Sequence, residues 1–361
     1  MGNGISLVST RSCSWYAKLV QTELLSFPDL YPRGLADGIR QEFRTRVFAD
    51  GEMEVELSQS IRGKHIFLIA SAGRNSSSLS VSEQKQEMYH AIDAIKRSAP
   101  KRLVLIEPYM SCARSDRTNR RNSVGFWIHY KTLSSLGVEH IVTYQLHSDK
   151  SKTVVDPVHT LIDDIPGSNI IMDFLLRDEE FKNEVMPIFC SVDAGGERLA
   201  RNYAKAFKGE LVIAHKQRSY EKNNHIEQVR ILSDSLLQDK VVWVVDDMID
   251  TAGSVVTLCE ELKNRGVGFV NVAIVHSVFS PPALDRLSAL HEHGLLHRLI
   301  TTDTLEITSE VREKLPFLEV VGTTRRTAEI ILRLYDEESL SPFFDNLPQQ
   351  PKSSFSSPGE L

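Results

Sequence analysis

Short apolar runs alternate along the chain with longer stretches in which apolar residues recur every three to four positions. The runs predict strands over 66–70, 103–107, 140–144, 187–191, 211–214, 241–245 and 270–275. The longer stretches predict helices over 83–98, 124–136, 197–207, 254–265 and 327–335. A β-α-β-α rhythm of this kind predicts an α/β protein with mainly parallel sheets flanked by helices on both faces. From residue 347 the pattern stops. Pro-Gln-Gln-Pro followed by Ser and Gly predicts a disordered tail over 347–361.

A faint repeat runs through this rhythm. Gly137-Val138, Val142 and Leu146-His147-Ser148 echo Gly266-Val267 through Val275-His276-Ser277, each His ten positions after its Gly. Each copy follows a helix, and before it a strand opening into a polar loop. In the first half that loop carries Arg114, Arg117, Arg120 and Arg121; in the second it carries two aspartates. Two similar α/β units explain the echo, and a length of 361 residues fits two domains.

The sharpest chemical signal is Val-Val-Trp-Val-Val-Asp-Asp-Met-Ile-Asp-Thr-Ala-Gly-Ser over 241–254. A buried-type strand stops at paired carboxylates, a turn of small residues follows, and a helix begins. Ligands of open α/β sheets sit at the carboxyl ends of strands. Small residues at a helix start let backbone N–H groups approach a phosphate, and the helix dipole adds attraction. Asp246 and Asp247 would repel that phosphate but can accept hydrogen bonds from sugar hydroxyls. The pattern therefore predicts a site for a phosphorylated sugar. The plainer reading is a helix start capped by Asp250 or Thr251.

Composition narrows the class. Hydrophobic residues at 41% and charged residues at 25% are ordinary for a globular protein. A net charge of −6 argues against nucleic-acid coating, and no run approaches the ~18 apolar residues of a membrane span. Cys13, Cys112, Cys190 and Cys259 are scattered without metal-ligand spacing, which predicts a reducing, cytoplasmic setting. The opening Met-Gly-Asn-Gly-Ile-Ser fits N-myristoylation at Gly2, with Ser6 in register, or simply precedes a first strand at 5–9.

With these motifs in order, the chain resembles ribose-phosphate pyrophosphokinase (phosphoribosyl pyrophosphate synthetase) from about residue 5 to residue 345. The 241–254 stretch is similar to the phosphoribosyl pyrophosphate loop of the type I phosphoribosyltransferase fold. Phe48-Ala49-Asp50-Gly51-Glu52 resembles the family's adenine-contacting segment, although Asp-Gly alone reads as a hairpin turn. The stretch 108–117, ending Ala-Arg-Ser-Asp-Arg, resembles its ATP loop. His147 falls at the family's metal-side His, and Ser191 to Gly196 resembles its Ser-Pro-Asp-x-Gly-Gly segment. Lys216-Gln217-Arg218 resembles the start of its mobile catalytic loop.

The resemblance implies two tandem phosphoribosyltransferase-like domains. The first spans 1–166 with the ATP-side loops, and the second spans 167–346 with the sugar site and a mobile loop at about 215–226. The last part of the second is expected to pack on the first. It implies transfer of the β,γ-diphosphoryl group of MgATP to the 1-hydroxyl of ribose 5-phosphate, giving 5-phosphoribosyl 1-diphosphate and AMP. Lys216 and Arg218 would be catalytic. Asp50, Glu52, Arg114, Asp116 and Arg117 would bind ATP. Asp246, Asp247, Asp250, Thr251, Ala252, Gly253 and Ser254 would bind ribose 5-phosphate, and His147 and Asp193 would help hold Mg²⁺. It further implies homo-oligomers built from dimers, up to hexamers, with no nucleic acid or membrane as partner. Gln145 stands where the family has an Asp, Gln217 replaces an Arg and Cys112 replaces a Tyr. The segment 71–87 lacks the family's Asn-Asp-Asn-Leu-Met-Glu start. These departures keep two other readings open: a non-catalytic regulatory subunit and a phosphoribosyltransferase.

Overall fold

The computed structural model describes residues 4–28, 40–118, 121–148, 151–152, 156–184, 186–218, 227–232 and 236–344. Gly2, Arg120, residues 219–226 of the expected mobile loop and the 347–361 tail lie outside the described residues.

Fourteen described strands form two sheets of seven. The first holds β1 (Ile5–Ser9), β2 (Arg40–Val47), β3 (Met53–Leu57), β4 (His65–Ile69), β5 (Arg102–Glu107), β6 (His140–Tyr144) and β7 (Leu161–Ile165), in spatial order 3-2-1-4-5-6-7. The second holds β8 (Ile188–Ser191), β9 (Glu210–Arg218), β10 (Glu227–Leu232), β11 (Val241–Ile249), β12 (Phe269–Ser277), β13 (Arg298–Thr302) and β14 (Leu318–Val321) in the same relative order. All pairings are parallel except the two edge hairpins, β2–β3 and β9–β10. The central strands are buried along almost their whole length and mostly apolar because helices cover both faces, as in parallel sheets generally.

The main helices are α1 (Ser14–Leu25), α2 (Val81–Arg97), α3 (Gly125–Ser135), α4 (Gly167–Leu175), α5 (Glu179–Lys182), α6 (Glu197–Phe207), α7 (Gly253–Asn264), α8 (Ala283–Glu292), α9 (Ser309–Lys314), α10 (Thr324–Tyr335) and α11 (Ser341–Phe344). Helices α2 and α3 bury Met88, Ile92, Phe126 and Leu133 against one face of the first sheet. Helices α7 and α8 bury Leu258, Leu262, Leu287 and Leu290 against one face of the second.

The opposite faces are covered by exchange. Helix α4 follows the last strand of the first sheet, yet its Ile171, Met172 and Leu175 pack with Phe189, Trp243 and Val275 of the second. Helices α10 and α11 follow the last strand of the second sheet, yet Ile330, Ile331, Leu334 and Phe343 pack with Ile5, Leu7, Tyr16 and Val20 of the first. A buried polar seam fixes this docking. Tyr16 shares hydrogen bonds with Thr323 at 2.6 Å and Thr327 at 2.8 Å, and Tyr144 shares one with Thr327 at 2.7 Å.

Each predicted strand and helix forms, with three differences in detail. Strand β11 does not stop at Val245; pairing with β12 carries it through Asp246 and on to Ile249. The edge hairpin β2–β3 is not among the predicted strands because its charged residues break up the apolar runs, although Phe43–Val47 and Met53–Leu57 alternate as half-exposed strands do; β1 offers it a parallel edge. The faint repeat is real in topology but out of register. Strand order makes β6 equivalent to β13, whereas the sequence echo aligns β6 with β12. The echo reflects a device common to both halves: Gly137 and Gly266 lie in the left-handed region (φ 87° and 82°), end a helix and launch a buried strand.

Candidate active site

Strand β11 builds the floor of the site. Trp243, Val244 and Val245 are buried within the sheet, and the next two side chains, Asp246 and Asp247, reach the carboxyl edge half-buried. Met248 and Ile249 return to the interior, so the carboxylates are anchored from both sides. The chain then turns through Ala252, whose φ of 61° is left-handed, into α7. No side chain at the N-cap closes the start of α7. Capping by Asp250 or Thr251 is therefore not what these residues do. Asp250 pairs with the Arg114 guanidinium, and the Thr251 carbonyl accepts a hydrogen bond from Arg286 at 2.9 Å. The helix start, where the positive end of the dipole lies, lines a cavity.

That cavity encloses about 730 Å³ and is lined from both halves of the chain. The first half supplies Arg114 and Arg117 from the loop after β5, and Gln145 and His147 from the end of β6. The second supplies Asp193, Gly195 and Gly196 after β8, Arg198 on α6, and the entire 246–254 stretch. Strand order reverses between β8 and β11, so this is the switch point at which ligands of open α/β sheets bind. Asp193 accepts backbone N–H bonds from Gly195 at 2.8 Å and Gly196 at 3.2 Å, which fixes the turn. A Cβ on Gly196 would meet only ordinary contacts, 3.5 Å from Ser191 Cβ and 3.8 Å from Asp246 Oδ1.

Two ion pairs cross the cavity. His147 Nδ1 lies 2.8 Å from Asp247 Oδ2, and Arg114 pairs with Asp250. The hydrogen bond to Asp247 holds the His147 imidazole above its usual range. Burial works against the charge of Asp247, but His147 keeps it below the usual carboxylate range. Burial, reinforced by the Asp247 charge beside it, pushes Asp246 well above that range. For Asp250, burial is likewise outweighed, by Ser280 and Arg114, and its carboxyl is held low. The site thus presents one carboxylate that resists ionising beside one that favours it, a perturbation typical of functional sites.

Three expected site residues, Asp50, Glu52 and Asp116, stand outside this cavity in the single chain. Asp50 and Glu52 form the tip of the exposed β2–β3 hairpin, where Asp50 accepts the Glu52 N–H at 3.1 Å, and neither lines the cavity. Asp116 lines a shallower groove of about 510 Å³ beside Trp127 and Ile128, with Arg117 common to both spaces. Lys216 and Arg218 are on β9, paired with Val229 and Glu227. His147 and Asp193 line one cavity, but the carboxylate His147 touches is that of Asp247. Sequence reasoning did not find Arg286, whose grip on the sugar loop has no motif to announce it.

Among the described residues no group of three or more His, Cys, Asp or Glu side chains could hold a metal ion alone. The donor set nonetheless suits Mg²⁺, which keeps several waters and takes one or two carboxylates together with substrate phosphates. Burial first, and the Asp247 charge second, raise the Asp246 carboxyl, and a divalent cation would offset the second of these.

Two seven-stranded sheets of this order, with an uncapped helix start after paired carboxylates, define the class as a double phosphoribosyltransferase-type fold. Comparisons carry this further. The N-terminal domain of ribose phosphate pyrophosphokinase matches residues 5–137, and a phosphoribosyl transferase domain matches residues 160–289. A ribose-phosphate pyrophosphokinase of Campylobacter jejuni is 33% identical over 298 residues, covering 82% of this chain and 89% of its own. One of Prochlorococcus marinus is 33% identical over 313 residues, covering 86% and 87%. The crystal structure of phosphoribosylpyrophosphate synthetase from Mycobacterium smegmatis superposes with a TM-score of 0.78 at 26% identity, over 93% of this chain and 99% of that one. The chain belongs to the ribose-phosphate pyrophosphokinase family. No described helix is long and apolar enough to cross a membrane.

Proposed function

We propose that this protein forms 5-phosphoribosyl 1-diphosphate by transferring the β,γ-diphosphoryl group of ATP to the 1-hydroxyl of ribose 5-phosphate, releasing AMP. The observation that carries this reading is the uncapped start of α7 facing Arg114, Arg117 and His147 across a single cavity. The amides of Gly253 and its neighbours, after Asp250, Thr251 and Ala252 and with Ser254, take the 5-phosphate, while Asp246 and Asp247 accept hydrogen bonds from the ribose hydroxyls. Arg114 and Arg117 hold the ATP polyphosphate through guanidinium forks, with Asp116 on the same loop. On this reading Arg114 releases Asp250 when ATP binds, so one substrate frees a group needed by the other.

In-line transfer needs positioning and charge neutralisation more than covalent help. Mg²⁺, held by His147 and Asp193 with Asp247 alongside, supplies positive charge against the polyphosphate when bound. Asp247 keeps the His147 ring oriented through their 2.8 Å contact. Lys216 and Arg218, at the end of β9, stabilise charge on the transferring group. Asp50 and Glu52, remote from the cavity of their own chain, serve a neighbouring copy's adenine subsite in a dimer-based homo-oligomer, up to a hexamer. The chain works as two units, 1–166 and 167–346, in the cytoplasm, in keeping with cysteines that are all free. Gln145 favours the regulatory-subunit alternative, because its Oε1 accepts the Ser168 N–H at 3.2 Å rather than offering a carboxylate.

The test is ³¹P NMR of the purified protein with Mg²⁺, ATP and ribose 5-phosphate. AMP together with a new sugar diphosphate supports the proposal. ADP, or no reaction with intact ribose 5-phosphate binding, overturns it, the latter in favour of the regulatory subunit.

A further inference from the structure

The loop that carries Arg114 is held from behind by an amine–thiol pair. Lys85 Nζ, on α2, lies 2.7 Å from Cys112 Sγ. That is as short as a good N–H···O bond (about 2.7–3.2 Å), although sulfur is the larger acceptor. Two single bonds meeting at a bent oxygen atom, one to nitrogen and one to sulfur, would span a gap like the one seen here. Cys112 is seated for such a bond: its backbone is left-handed (φ 71°) and its side chain is half-buried between α2 and the start of α3. The other three cysteines are inert by comparison. Burial pushes the thiols of Cys13, Cys190 and Cys259 up to about 12, and none of them meets an amine. Behind the pair stands a chain of titratable groups on α2, β5 and α3. Tyr89 Oη meets His129 Nδ1 at 2.8 Å, and His129 Nε2 lies 3.1 Å from both oxygens of the fully buried Glu107.

We propose that Lys85 and Cys112 form a covalent N–O–S bridge when the protein meets dioxygen, and that the bridge fixes the ATP-side loop. One O₂ is consumed per bridge. Its O–O bond breaks, one oxygen is inserted between nitrogen and sulfur, and the other leaves as water. The S–H bond and one N–H bond of the neutral amine are broken, and the lysine ammonium first loses its extra proton to solvent. Sulfur and nitrogen each give up two electrons, which accounts for the four taken by O₂. Two equivalents of a dithiol reverse the bridge: they give four electrons and become disulfides, the N–O and O–S bonds break, and the oxygen leaves as water. Once formed, it ties α2 to a point two residues before Arg114, so the loop can no longer adjust as Arg114 leaves Asp250. The bridge itself does not depend on the function proposed above; its effect on ATP does.

The test is peptide mapping by mass spectrometry of the full chain, after exposure to air-saturated buffer and after dithiothreitol. The expected result is a cross-link joining the Lys85 and Cys112 peptides, with a gain of about 14 Da that dithiothreitol removes. It is absent from Lys85→Arg and Cys112→Ser, both checked for native circular dichroism. Oxidation of Cys112 alone, with a gain of about 16 or 32 Da, overturns the bridge, and so does an unchanged mass. The locking is read by ATP titration of oxidised and reduced wild type. A change of about fivefold or more that Lys85→Arg does not show supports it, and equal affinity in the cross-linked protein overturns it.

Discussion

His276 Nε2 donates to the carbonyl oxygen of Tyr144 at 3.0 Å, joining the end of β12 in the second sheet to the end of β6 in the first. Nδ1 of the same ring faces Thr304 Oγ1 at 2.8 Å, and the Gln145 carbonyl lies 3.2 Å from Nε2. The imidazole is buried, and burial holds it neutral, so it acts as a fixed strap. His147 stands two residues beyond the strapped backbone, within reach of Asp247.

Cutting that strap should misplace His147. His276→Ala should cost about 1–3 kcal/mol of stability, because it leaves buried carbonyls unpaired. It should also lower turnover about tenfold or more, since small misplacements at a reacting centre are expensive. Steady-state kinetics beside a melting curve decides. Unchanged turnover in a destabilised but folded variant would mean that the strap serves the fold alone.

In the role proposed for it, Lys216 would supply charge that matters only as the diphosphoryl group moves, so Lys216→Ala should cut turnover by roughly two orders of magnitude or more while leaving ribose 5-phosphate affinity nearly intact. Calorimetry separates the two effects. Turnover comparable to wild type would remove Lys216 from the mechanism.

Glu184 gives the stability a pH dependence. Both of its oxygens accept from Trp243 Nε1–H at 3.0 Å, and burial lifts its carboxyl from 4.5 to about 7. The folded state therefore holds the proton over a pH range in which the unfolded chain has lost it. Stability from this group is complete below the unfolded pKa and declines as pH rises toward 7, by on the order of 1–2 kcal/mol after discounting for partial exposure. Glu184→Gln should melt higher than wild type at about pH 8 and show no such gain at about pH 5. An equal difference at both pH values would contradict the assignment.

Thr327 sits between two buried phenols. Thr327→Val keeps the volume and strips one hydroxyl from both Tyr16 and Tyr144, so it should cost about 1–3 kcal/mol. Adding Tyr16→Phe should cost less than the sum of the single changes, because the two residues share one network. Denaturant titration of all three variants measures the shortfall; strict additivity would dissolve the network.

Much of this was legible in the chain. Strands such as 103–107 and 140–144 are largely apolar runs because both faces are covered, and such runs are read at sight. The 246–254 loop was legible as a feature of the cavity because paired carboxylates followed by a turn of small residues stand out from a packing pattern. Other features had no local signature. Whether β11 continues past Asp246 depends on the pairing of Met248 with His276, twenty-eight residues on. The Asp247–His147 and Asp250–Arg114 pairs join residues from different halves, and no spacing rule connects them. The exchange of α4 and α10 is invisible to periodicity, since an amphipathic helix records that it has a buried face but not which sheet covers it.

That exchange has a consequence for synthesis on the ribosome. The face of the first sheet formed by Ile5, Leu7, Phe67 and Val104 is covered by α1 alone until α10 emerges, roughly 160 residues after β7. At the ordinary pace of about 5–20 residues per second, this leaves an apolar sheet waiting for roughly 10–30 s. The nascent chain is then at its most vulnerable to aggregation, and its last helices complete its first domain.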